Sequence, residues 1–304
     1  MAGRDADGRE INGNDTPIVL HARDNKSGTF DMFVSLVLST IGKPIAVDAK
    51  RYESSELLSD AVASDRGAIG FVGLPYINKN RALVIQSACG LFGAPTRYAI
   101  KTEEYPLARR LYLYTLGPPT QTIARDLLGF ALSEQAQLTI SDAGYIDQTI
   151  EIEDKGEQAR YIDSMAAKPD AVDKSIPADT VSNLSRLLGQ LHRTSAVFRF
   201  ERNGTDLDPR ALQDVVRLGS FLRAGERTGK RFVIAGFADA NGTWQANLAL
   251  SAARAQRIAA ELRRQGISVP DADVIPFSYL APVACNDSDA GRAKNRRVEI
   301  WVTQ

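Results

Sequence analysis

Apolar and polar positions divide the chain into two patterned stretches with an unpatterned one between them. In the first, strand-length apolar runs alternate with segments of helical period. "PIVLHA" (17–22) predicts a buried strand. "SGTFDMFVSLVLSTIG" (27–42) predicts a helix, with Phe30, Phe33, Val34, Val37 and Leu38 at helical spacing. "ESSELLSDAVASD" (53–65) predicts a second helix, "GAIGFVGL" (67–74) a second strand and "RRLYLYT" (109–115) a third. Residues 122–144 predict a helix ending near Gly144. Strands alternating with helices argue for an α/β domain.

The period fades from Glu151 to Asp179, a charged stretch with Pro169 and Pro177. It is expected to be a linker with short helical pieces. A helix is expected to resume at Pro177, carrying Val181, Leu184, Leu188 and Leu191 on one face. The last stretch predicts strands at 195–200, 231–238, 273–280 and 296–304. Helices are expected at 208–225, with Asp208 as N-cap and Pro209 in the first turn, and at 244–265. The order is β-α-β-α-β-β, with a polar loop before the last strand.

Length and charge narrow the function. A chain of 304 residues is longer than one core usually serves. Lys+Arg and Asp+Glu balance at 37 each, without the basic excess of a nucleic-acid binder. Cys89 and Cys285 form no C-x-x-C pair, and His21 and His192 lie far apart, so no metal site is expected. Two buried thiols are the favoured reading of the cysteines. A single disulfide, which would bridge the two expected domains, is the other. The N-terminus, "MAGRDADGREINGND", lacks the basic and apolar regions of a signal peptide, and no apolar run is long enough to cross a bilayer. There is no G-x-x-x-x-G-K-[ST] loop, nucleophile–base pair or expected cofactor, which points to binding rather than catalysis.

Two constellations carry candidate chemistry. In "GFADANGTWQANLALSAARAQRI" (236–258), Asp239 ends a predicted strand, and Asn247, Ser251 and Arg254 share one face of the following helix. A fixed carboxylate beside a fixed guanidinium suits a zwitterion, the carboxylate taking an amine and the guanidinium a carboxylate. The alternative is structural: Asp239 caps the turn and Arg254 makes an ordinary ion pair. In "LHARDNKSGTF" (20–30), a strand delivers Arg23, and a turn sets Ser27, Gly28 and Thr29 at a helix start, where free N–H groups attract an oxyanion. The alternative is that Ser27 only caps the helix.

The strand-turn "GFADANG", the helix "NLALSAARAQRI" and the late "GRAKNRRVEI" (291–300) resemble an OmpA-like peptidoglycan-binding domain. This resemblance implies that Asp239 and Arg254 hold the diaminopimelate of the peptidoglycan stem peptide, with Asn247, Asn295 and Arg297 lining or supporting the site. Where the family more often has His and Thr before the Asp, this sequence reads "GFAD". Its Trp244 is expected to staple the helix start rather than pack on ligand. A cell-wall hydrolase using Asp239 as base is a weaker reading, because arginine is a poor proton donor.

"ARDNKSGTF", "GAIGFVGLPYI" and "EEYPLARRLYLYT" (103–115) resemble phosphate-type substrate-binding proteins of ABC importers. The resemblance implies a partial periplasmic-binding-protein type 2 α/β fold. It also implies phosphate or a similar oxyanion at Arg23, Ser27, Gly28 and Thr29, an ABC permease as partner, and a periplasmic, cell-envelope location. In that family a long segment precedes this stretch and supplies most of the first lobe. The leading expectation for the first domain is an oxyanion-binding module; the alternative, since without that segment the site is one-sided, is that it has lost ligand capture and acts as an envelope protein-interaction module. The expected division is a phosphate-binding-protein-like domain over 1–152, a linker with helix over 153–193 and the OmpA-like domain over 194–304.

Overall fold

The computed structural model describes residues 17–166, 176–177, 179–226 and 231–303. The N-terminal stretch read for a signal peptide, and Pro169 of the expected linker, lie outside them. By compactness the chain forms two units, Met1–Leu83 with Thr139–Tyr145, and Val84–Leu138 with Ile146–Gln304. These units cut the chain elsewhere than the division by resemblance.

The first unit holds β1 (Val19–Arg23), α1 (Gly28–Phe33), β2 (Lys50–Tyr52), α2 (Ser55–Ala63) and β3 (Ala68–Gly70). Ser27 caps α1, its Oγ accepting from the Thr29 N–H, and Ser54 caps α2. The helix expected over 27–42 is α-helical only to Phe33 and continues as a π-helical stretch and a 3₁₀ turn to Gly42 at φ +62°. The strands form a parallel sheet in the order β2-β1-β3. The chain passes from β1 to β2 on one side and then crosses to β3 on the other, and the crevice at the carboxyl ends of β1 and β3 is where open α/β sheets take ligands.

The second unit begins with the hairpin β4 (Ile85–Gln86) and β5 (Phe92–Gly93), α3 (Arg97–Lys101) and α4 (Thr122–Leu132). The strand expected at 109–115 does not form. Leu111, Leu113, Tyr114 and Leu116 are exposed, and α4 buries none of its residues. A strand needs a neighbour to satisfy its backbone, and among the described residues none pairs with this run. The helix expected over 122–144 breaks at Ser133, whose extended backbone ends α4 while its Oγ accepts from the Ala136 N–H and starts α5 (Glu134–Asp142). Gly144 closes that segment at φ +79°.

Next come α6 (Lys155–Ala166), α7 (Thr180–Gly189), β6 (Leu191–Arg199), α8 (Pro209–Glu226), β7 (Phe232–Gly236), α9 (Trp244–Arg264), β8 (Val274–Pro276), α10 (Asp289–Asn295) and β9 (Arg297–Thr303). The sheet order is β6-β9-β7-β8, with β7 and β8 parallel and the other pairs antiparallel. Strand alternation assigns the two faces. Ile234, Val298 and Ile300 pack with Val215 and Leu218 of α8 and Ile258 and Leu262 of α9. Val233, Ala235 and Trp301 face the other way, onto Leu184 and Leu188 of α7 and Tyr161 of α6. The stretch expected as a linker is therefore partly helical and covers the second face of the sheet. β8 ends early because Ser278 and Ala281 adopt φ +51°.

Cys89 and Cys285 form a disulfide, which corrects the favoured reading of two thiols. Sequence could not show that the β4–β5 turn and the loop before α10 meet, 196 residues apart.

Candidate functional site

The site at the end of β7 depends on a close helix–strand approach. A Cβ on Gly236 would lie 2.2 Å from the Ser251 carbonyl oxygen, so glycine lets α9 press against β7. Ser251 then accepts the Ser278 N–H at 3.1 Å. Thr243 caps α9 and Gly242 supplies φ +93° for the turn before it. Asn247 donates to the Asn241 carbonyl at 2.8 Å and fixes the turn. Trp244 is buried in the second core, edge-on to Tyr279, in keeping with its expected role at the helix start.

Asp239 is nearly buried and uses both oxygens internally. Oδ1 accepts the Asn241 N–H at 3.0 Å, and Oδ2 pairs with Arg296 Nη1 at 3.0 Å. Arg254 is fully buried and donates to the backbone carbonyls of Gly204, Glu201 and Phe237 at 3.1, 3.1 and 3.5 Å. Its guanidinium also lies 5.5 Å from the Phe200 ring centre. Among the described residues no carboxylate pairs with it within 4.0 Å. Burial, and then repulsion from Arg296, pull its pKa down to about 10, with Asp239 acting in the other direction. The three charges form one electrostatic cluster with a surplus positive charge.

The structure thus brings Asp239, Asn247 and Arg254 to one place. Asn295 supports it, accepting the Val283 and Ala284 N–H groups at 2.9 and 3.1 Å and donating to Ala284 O and Asn286 Oδ1 at 2.8 and 3.0 Å. Asn286 Oδ1 also accepts the Ala240 N–H at 3.1 Å, tying this loop to the Asp239 turn.

Arg297 is not with them. It shares a sheet face with Glu299 and Trp301, donates to Glu299 at 2.7 Å and to the Tyr161 hydroxyl at 2.8 Å, and lies over Phe237. The neighbour missed from sequence is Arg296, which pairs with Asp239. The available signal was the doublet itself: consecutive residues entering a strand face opposite ways, so only one arginine can reach the α9 side.

The buried network around Arg297 is separate from the site. Arg193, fully buried, pairs with Glu104 at 2.5 Å, Glu299 at 2.6 Å and Glu153 at 3.7 Å. Burial works to raise the pKa of Glu299, but Arg193 and Arg297 overcome it and hold the group at about 2. Burial first, then Glu104 and Glu299, push Glu153 up to about 7 against the pull of Arg193.

In the first unit, Arg23 ends the central strand β1 and the Ser27–Thr29 turn follows it, at the carboxyl end of the sheet. The Arg23 guanidinium, however, binds the opposite loop: Nε to Tyr52 O at 3.3 Å, Nη2 to Glu53 O at 2.5 Å, and Nη1 to the Ser55 hydroxyl. The Thr29 N–H is taken by Ser27 Oγ at 3.2 Å. Gly28 starts α1 beside them.

Residues 199–296 match the OmpA family. The chain is 32% identical over 108 residues to a peptidoglycan-associated lipoprotein of Pseudomonas putida, covering 36% of this chain and 63% of that protein. It is 30% identical over 139 residues to protein SphX of Synechocystis sp., covering 43% of this chain and 40% of that one. The chain thus spans less than two thirds of either curated relative. An ABC-type phosphate transport receptor from Vibrio cholerae aligns with a TM-score of 0.36 and 26% identity, over 44% of this chain and 55% of the receptor. The protein is a mixed α/β chain whose C-terminal domain is OmpA-like.

Proposed function

We propose that the OmpA-like domain binds peptidoglycan in the cell envelope, holding the free amine and carboxylate of diaminopimelate at Asp239 and Arg254. The observation that carries this is the buried guanidinium of Arg254, bound to neutral carbonyls beside a carboxylate already paired with Arg296. A ligand carboxylate would replace carbonyl contacts with charge-assisted ones, and a ligand amine would compete with Arg296 for Asp239. The lipoprotein named above is peptidoglycan-associated, and the likeness to it supports the reading.

The test is calorimetric titration of a diaminopimelate-containing stem peptide into the full chain, with Arg254→Ala and Asp239→Asn as variants. Saturable binding by the wild type and a loss of about a hundredfold in either folded variant is expected. A folded wild type that gives no heat, or variants that bind equally well, would overturn the reading.

For the N-terminal region the commitment of Arg23 to Tyr52, Glu53 and Ser55, and of the Thr29 N–H to Ser27, favours an interaction module of the envelope over phosphate capture. Titration with inorganic phosphate should give no saturable heat. Binding that disappears in Arg23→Ala would restore Arg23, Ser27, Gly28 and Thr29 as an oxyanion site and an ABC permease as the partner to seek.

A further inference from the structure

The disulfide lies beside the Asp239 turn. Cys285 sits in the loop that Asn295 braces, immediately before Asn286, whose side chain holds the Ala240 N–H. Arg292 Nη1 donates to the Asn286 carbonyl at 2.7 Å, and a Cβ on Gly291 would lie 1.9 Å from the Cys285 carbonyl oxygen. The loop therefore rests directly on α10, whose end carries Asn295 and Arg296. Val283, Ala284 and Asn286, which tie this loop to Asn295 and to the Asp239 turn, all lie within two residues of Cys285.

The other end of the disulfide is also fixed. Cys89 lies in the tight β4–β5 turn, with Gly90 at φ +79° and the Ser87 N–H on Leu91 O at 2.8 Å. The chain then passes to α3 and is anchored on β6. The Tyr98 hydroxyl donates to Thr194 O at 2.8 Å, Arg199 donates to Thr102 O, and Glu104 pairs with buried Arg193. The Cys89 N–H also donates to Cys285 Sγ at 3.3 Å.

We propose that the Cys89–Cys285 disulfide positions the Asn286 arm of the Asp239–Arg254 site, so that opening it with a dithiol weakens ligand binding. The proposal rests on the peptidoglycan reading. In the reaction the dithiol supplies two electrons and two protons, the S–S bond breaks, Cys89 and Cys285 become thiols, and the dithiol becomes a disulfide. The loop then keeps its Asn295 bonds but loses its tie to the β6-anchored segment. The Asp239 turn loses a fixed support and not a charge. Ordering that support again on binding costs affinity.

Linkage makes the proposal testable by more than stability. If the oxidised protein binds more tightly, ligand must make the disulfide harder to reduce by the same free energy. The stem peptide is titrated into the full chain oxidised, held reduced with excess dithiothreitol, and as Cys89→Ser. The thiol–disulfide midpoint is measured with and without saturating peptide. About a tenfold weaker Kd on reduction is expected, matched by the variant, together with a midpoint about 30 mV more negative with peptide. Equal Kd values for oxidised and folded reduced protein, or a midpoint that peptide does not move, would overturn the coupling and leave the peptidoglycan reading intact. No binding by the oxidised wild type would overturn both.

Discussion

Two guanidiniums, Arg193 and Arg297, face three carboxylates, Glu104, Glu153 and Glu299, behind the sheet. One negative charge is in excess, and Glu153 is the group that gives it up. Its nearest cation is 3.7 Å away and its Oε2 has no hydrogen-bond partner among the described residues. Its pKa rises from 4.5 to about 7. Between those values the native state keeps a proton that the unfolded chain has lost, so the contribution to stability falls as pH rises. The full penalty, reached above pH 7, is about 3 kcal/mol. Glu299 acts with the opposite sign: its pKa is held down at about 2, so its contribution is present above 4.5 and lost as pH falls through 2.

Glu153→Gln isolates the first effect. Urea unfolding of wild type and variant from pH 4 to 8.5 should show similar stability at the acid end. The variant should be the more stable by about 3 kcal/mol at pH 8. Parallel curves across this range would refute the assignment, because the glutamine cannot titrate.

The close approach at Gly236 predicts that Gly236→Ala costs about 3 kcal/mol in urea unfolding, since the Ser251 carbonyl belongs to a helix backbone that cannot step aside. Leu111 and Leu113, each about two-thirds exposed, contribute to an apolar surface that should bind a hydrophobic fluorescent dye. Leu111→Lys with Leu113→Lys should lower that signal without changing the thermal midpoint, and an unchanged signal would place the dye elsewhere.

Much of the second unit is local in origin and was legible. Asp208 accepts the Ala211 N–H at 2.6 Å and starts α8 where the sequence placed its cap. The helical spacing of Asn247, Ser251 and Arg254 brings them to the end of β7, as expected from a period that any α-helix obeys. Ser27 carried both an oxyanion reading and a capping reading; its Oγ caps α1, and titration with phosphate is what tests the other.

Sequence by itself determined the order of strands and long helices in the C-terminal domain, the caps and the residues that share a helix face, because each depends on backbone periodicity and hydrogen bonds between near neighbours. Tertiary structure decided the rest. It chose Arg296 over Arg297 as the partner of Asp239, since strand parity acquires meaning only when α9 covers one face of the sheet. It turned part of a charged, weakly patterned stretch into α6, whose Tyr161 packs near Trp301. It left "RRLYLYT" without a strand, because pairing requires a second strand and apolar alternation supplies only one. It joined Cys89 to Cys285, a choice of contact between distant segments that spacing along the chain does not encode.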